Sequence, residues 1–146
     1  MTPIATHADN YQTGQYLLRA FFVLLMASTG IAKLLDMHGF YAIVASYQTL
    51  PDVLVPFCAW ALALTETGLA LWLLSGKALR WAAVIIMLLH LMYLAWLLLA
   101  LLRGLTLDNC GCFGVYWARP LTWWSPLEDY VLFLFALLFW RGTVNA

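Results

Sequence analysis

Charge is the scarcest property of this sequence: 10% of its 146 residues are charged, with seven Lys or Arg against seven Asp or Glu for a formal net charge of zero. A soluble domain carries about a quarter charged residues, so too few polar groups are present to cover a water-facing surface. No basic run exists either. That excludes nucleic acid as a partner, because neutralising phosphates takes clustered Lys and Arg. No repeat, low-complexity tract or linker interrupts the chain, and a single domain over 1–146 is expected. Cysteine is also sparse, with three in all.

What is abundant is apolar. Hydrophobic residues make up 65% of the chain, including eight Trp, eight Phe and seven Tyr, a composition suited to a bilayer, where amphipathic rings settle at the headgroups. A helix rises about 1.5 Å per residue and the hydrocarbon core is about 30 Å thick, so spans are sought as runs of about 20 apolar residues. Four emerge, at about 16–35, 53–75, 81–102 and 126–140. Arg19 and Lys33 lie near the ends of the first, where long side chains snorkel to the headgroups. The fourth begins with Ser125, Pro126, Leu127 and Glu128, which read as N-cap, first-turn proline and capping-box glutamate. At about 22 Å it is short, so the preceding connection, with Trp117, Trp123 and Trp124, is expected to dip into the interface. Residues 1–15 do not resemble a cleavable signal, and Phe40 to Leu50 reads as an interfacial helix or loop ending at Pro51. The expected fold is all-α, an integral membrane four-helix bundle.

Four spans place both termini on one side, with Arg19, Lys77, Arg80 and Arg141; the other side holds Lys33, Arg103 and Arg119. The positive-inside rule counts only Lys and Arg, and four against three favours cytoplasmic termini. The loop 103–125 then faces outward. It contains Cys110-Gly111-Cys112-Phe113-Gly114. Two cysteines flanking one glycine can form a small, strained and reducible disulfide suited to exchange. Gly111 and Gly114 permit a tight fold that leaves sulfur open to a partner. The alternatives are a local staple or two plain thiols. Metal is disfavoured, since closed zinc sites take four ligands, although a soft ion such as Cu(I) can be held by two thiolates. Cys58 lies about one turn into the second span from the same side, either to meet the loop or to serve as a small core residue.

Two ionisable groups lie inside the spans, Glu66 and His90, each 12 residues from position 78 in the turn between helices two and three. Both should lie about 15 Å from the inner boundary, near the midplane. A lone charge there is costly, so a direct Glu66–His90 contact is expected, acting as a proton relay, as the polar lining of a quinone or substrate pocket, or as an interhelical clasp. Ala27, Ser28, Gly30, Ala32 and Gly68 read as close-packing positions.

In sum, Ser28-Thr29-Gly30-Ile31-Ala32-Lys33-Leu34-Leu35-Asp36, Tyr47 to Pro51, Glu66, Arg80 and the Cys110–Gly114 loop before a last helix resemble the MauE branch of the DoxX-like membrane proteins. The resemblance covers nearly the whole chain. It implies a four-helix membrane bundle associated with methylamine utilisation, where the family is linked to maturation of methylamine dehydrogenase, a periplasmic enzyme with a disulfide-rich small subunit, and to thioredoxin-like partners. The family usually places a basic residue at the start of the last helix, where this chain has Glu128-Asp129; Arg119 is the candidate substitute for depressing a cysteine pKa. The resulting expectation is a multi-pass inner-membrane thiol-disulfide redox or maturation factor using Cys110 and Cys112, with Cys58, Lys33 and Arg119 as accessory residues. Its partner is a periplasmic thioredoxin-like or disulfide-rich protein. The competing classes are a non-catalytic scaffold or small transporter, and copper handling through the cysteine pair. Quinone is the one cofactor the reading admits.

Overall fold

The computed structural model describes residues 3–145. Helix α1 spans Pro3–Leu35, α2 Met37–Ser46, a 3₁₀ turn Asp52–Leu54, α3 Val55–Ser75, α4 Leu79–Leu102 and α5 Trp124–Asn145, and the described residues include no strand. Three stretches, Tyr11–Leu35, Asp52–Ser75 and Leu79–Leu102, are long and apolar enough to cross a membrane. Only 28–33% of the residues in the apolar 18-residue window of each are buried inside the protein, so side chains such as Leu24, Leu71, Leu88 and Leu102 need an apolar solvent outside it. This is an all-α, multi-pass membrane protein.

The fourth span differs from the expected short helix. Helix α5 has 22 residues, about 33 Å at 1.5 Å each, and runs past Trp140 because Arg141, Gly142 and Thr143 contain no helix-breaking proline. Gly142 lies directly against Gln15 of α1, at an approach no Cβ would permit. With Glu128, Asp129 and Arg141, α5 is not among the three helices apolar enough over their length to count as candidate spans. Helix α1 likewise starts earlier than its apolar run, carrying the polar residues before Tyr16 as a helical extension.

Local signals explain the turns. Asp36 ends α1 and caps α2, its Oδ1 accepting from Gly39 N at 2.8 Å. Pro56 sits in the first turn of α3, and Gly76 closes that helix with a left-handed φ of 72°. Arg19 does not snorkel; its guanidinium donates to Leu73 O at 2.8 Å, which also accepts from Gly76 N, and to Leu74 O at 3.0 Å, tying α1 to the end of α3. At the opposite end, Arg103 donates to Tyr47 O and Gln48 O at 3.1 and 3.2 Å and anchors the end of α2.

The long helices associate chiefly as two pairs, α1 with α3 and α4 with α5. Small residues permit this. Gly30 meets Thr67 so closely that a Cβ would fall 2.5 Å from the hydroxyl oxygen, and Ala82, Ala83, Ala100 and Ala136 are fully buried. Gly68 faces open space and Ser28 is exposed, so neither is a packing position. One core cluster, around Phe22, Met26, Leu73, Ile86 and Phe139, joins the two pairs. Two smaller clusters gather α2, the start of α3, the end of α4 and the 103–123 connection at the other end.

Candidate thiol site and its buried charges

The connection after α4 folds back into the protein. Cys110 N donates to Arg119 O and Leu121 N to Leu107 O, both at 2.8 Å, drawing the loop into a closed hairpin-like turn. Asn109 stabilises its tip: Oδ1 accepts from Gly111 N at 2.9 Å while Nδ2 donates to Gly114 O at 3.0 Å. Gly111 and Gly114 have φ of 79° and 65°, and a Cβ on Gly114 would stand 3.0 Å from Ala32 O at the end of α1. Glycine is therefore required at position 114 both for its backbone angle and for its closeness to α1.

Within this turn, the thiols of Cys110 and Cys112 lie 3.0 Å apart. Both are free, with Cys110 buried and Cys112 half-buried. The expectation of an open loop is therefore corrected: the glycines let the turn pack closely on α1 and α2, which leaves Cys110 buried and Cys112 half-buried. Tyr47 Oη donates to Cys110 O at 2.7 Å, and Lys33 Nζ donates to Cys112 O at 2.9 Å. When Cys110 is ionised the Cys112 thiol is its hydrogen-bond donor, which pushes the Cys110 pKa down to about 6 against the opposing effect of burial, and the Arg119 charge assists. The same bond, with burial, pushes Cys112 well above the ordinary thiol range. One thiolate, seated on Cys110, is the favoured singly ionised state. Burial and the nearby sulfurs raise the Tyr47 phenol, keeping it a donor.

Arg119 is held by Glu128 through two bonds of 2.9 and 2.6 Å, an exposed bidentate pair. It thereby places a positive charge near Cys110 despite the acidic start of α5, and Glu128 keeps the guanidinium pKa raised.

The expected Glu66–His90 contact is not what the structure holds. Glu66 Oε2 accepts from Lys33 Nζ at 2.6 Å, and its Oε1 accepts from Tyr93 Oη. His90 Nδ1 instead meets Asp129 Oδ1 at 2.8 Å. The reason is rotational: Glu66 faces α1, the partner of α3, and His90 faces α5, the partner of α4. Lys33 is also corrected from a snorkelling residue to a buried one, 1% exposed, because α2 and the thiol loop cover the end of α1. Its ammonium lies 5.6 Å from the centre of the Phe40 ring and 5.8 Å from that of Tyr93. Sequence reasoning missed Asp129 and Tyr93 as parts of this system. The signal for Asp129 was its presence as a carboxylate inside the last apolar helix, opposite in sign to a protonated His90.

A mostly apolar cavity lies between α3 and α4, below α2 and the loop. Cys58, Cys110 and Cys112 all border it, with Lys33 and Tyr93. Cys58 thus does reach the loop's neighbourhood, as a half-buried wall residue with no sulfur bond. Among the described residues no cluster of three metal-ligating side chains occurs, leaving two sulfurs for any soft ion.

A family model described as methylamine utilisation protein MauE matches residues 12–142. The chain belongs to the MauE family. It is 33% identical over 125 residues to "Methylamine utilization protein MauE" of Paracoccus denitrificans, across 86% of this chain and 67% of that protein. It is 30% identical over 106 residues to the protein of the same name from Methylorubrum extorquens, across 73% of this chain and 57% of that protein. The chain thus spans about two thirds or less of the length of these MauE relatives. No solved structure matches it.

Proposed function

We propose that this chain is an inner-membrane thiol-disulfide redox or maturation factor in methylamine utilisation, acting on a periplasmic thioredoxin-like or disulfide-rich partner. The names of the MauE relatives support the process. The observation that carries the chemistry is the Cys110–Cys112 pair: two free thiols 3.0 Å apart, with a thiolate favoured on one. In the exchange, the Cys110 thiolate attacks one sulfur of a partner disulfide, forming a mixed disulfide and releasing the partner's other sulfur as a thiolate. Cys112 then loses its proton and attacks Cys110, forming the intramolecular disulfide and releasing the second partner thiolate. Two electrons pass to the partner, and the reverse sequence oxidises it. The pair lies in the connection that an arrangement with both termini cytoplasmic directs to the periplasm, a compartment that permits disulfides.

Closing a ring of three residues restricts the unfolded chain little, so the pair should matter to activity rather than stability. Cys110→Ser and Cys112→Ser should each insert at normal levels yet fail to restore growth on methylamine to a strain lacking the protein. Full complementation by both variants would reject the redox reading.

A further inference from the structure

We infer that the cavity between α3 and α4 is a binding site for the ring of a membrane quinone, which accepts the electrons of the reduced Cys110–Cys112 pair. This deepens the thiol-exchange reading and rests on it.

Three features meet at the cavity. First, its position: Met92 lines it and is 40% exposed on the bilayer side of α4, and Leu62 lines it from α3. The cavity therefore has a lipid-side edge and suits an apolar molecule arriving from the bilayer. Second, its size: about 60 Å³ is open to the centre of a water-sized sphere, equivalent to about four to six waters and enough for one substituted six-membered ring whose tail remains in lipid. Third, its chemistry: both sulfurs stand at its wall, and Lys33 stands beside them. The Lys33 ammonium has three N–H donors, and Glu66 and Cys112 O account for two. The third is available to a carbonyl oxygen in a place where an unmet donor is costly.

A buried dithiol that opens toward lipid is matched by an apolar acceptor of two electrons and two protons, and quinones have that chemistry. In the singly ionised pair the Cys112 S–H bond breaks and one S–S bond forms, while two electrons and two protons convert the two quinone carbonyls to the hydroxyls of a quinol. Cys112 gives one proton and water returns the one that Cys110 released on ionising. Lys33 positions the acceptor, and Tyr93, hydrogen-bonded to Glu66, borders the same space. The cycle closes when the resulting disulfide oxidises a partner dithiol.

The test uses the full chain in lipid nanodiscs, reduced and freed of reductant, with decylubiquinone, whose ring has no hydrogen left for a thiol to replace. Disulfide formation is read by mass after alkylation, and quinol by absorbance. The expected result is one quinol per Cys110–Cys112 disulfide. Met92→Trp and, separately, Leu62→Phe should slow this reaction by about tenfold or more, as expected when bulk fills a binding pocket, without slowing oxidation by the soluble disulfide dithiobisnitrobenzoate. Oxidation by the soluble disulfide but not by quinone overturns the quinone site and leaves the exchange reading standing. A quinone rate that neither plugging variant changes also overturns the site. A pair inert to both oxidants overturns both readings.

Discussion

The chemistry of the site reduces to one hydrogen bond between two sulfurs. Because the Cys112 thiol can donate to an ionised Cys110 only 3.0 Å away, the charge of the ionised pair is shared, and the first ionisation falls well below that of an ordinary thiol. Alkylation of Cys110 should therefore rise with pH through about 6 and level off above about 7, since the thiolate is the reactive form. Cys112→Ala removes the donor and should move the midpoint upward by at least one pH unit, about 1.4 kcal/mol of lost thiolate stabilisation. Mass-spectrometric alkylation rates across pH 5–9 check this; a wild-type midpoint near 9 would contradict it. Little of this was legible in the sequence. The Cys-Gly-Cys spacing announced a redox-capable pair, but the donors that fix its backbone, Tyr47 and Lys33, come from 63 and 79 residues away. Only the fold reveals such partners.

At the scale of helices, two buried charge pairs divide between the two helix pairs, and Tyr93 of α4 links them by donating to Glu66 of α3. Lys33 and Glu66 join α1 to α3, and His90 and Asp129 join α4 to α5. Hydrophobic runs located the membrane spans because lipid imposes a length and an apolar composition on each. They could not give the rotation of a helix that is apolar all round, and rotation decides partners. Glu66 and His90 were therefore placed together by depth and separated by facing. The same limit hid the fate of Lys33, which a run of apolar residues ending at Leu35 makes look like a surface anchor. Breaking a buried ion pair by removing one partner costs about 3–5 kcal/mol, since the other charge is left uncompensated. Lys33→Met and Glu66→Gln should each destabilise the protein by about that amount, with the double variant far less destabilised than their sum. A double-variant loss equal to the sum, measured by denaturant unfolding in detergent, would contradict the pairing.

Across the whole molecule the two ends do different things. One end is closed simply, by Arg19 on the last carbonyls of α3 and by the short turn at Gly76. The other end holds α2, the 103–123 connection and the C-terminal end of α1, and these create the space occupied by the thiol turn. Covering α1 there buries Lys33, places Gly114 against Ala32, and sets both sulfurs on a cavity shared with α3 and α4. The family assignment fits the order of these parts along the chain, from the Gly30–Lys33 stretch to the Cys-Gly-Cys turn. The central claim is that this end exchanges disulfides with a protein outside the membrane. Its most direct test is acid-quenched trapping in intact cells carrying Cys112→Ser, grown on another carbon source with methylamine added as inducer; the variant keeps the attacking sulfur and removes the one that resolves the mixed disulfide. The account predicts a covalent adduct between this variant and a periplasmic protein, released by dithiothreitol and lost when Cys110 is also replaced by Ser. Absence of any adduct, with Cys110 found entirely as an unmodified thiol, would contradict it.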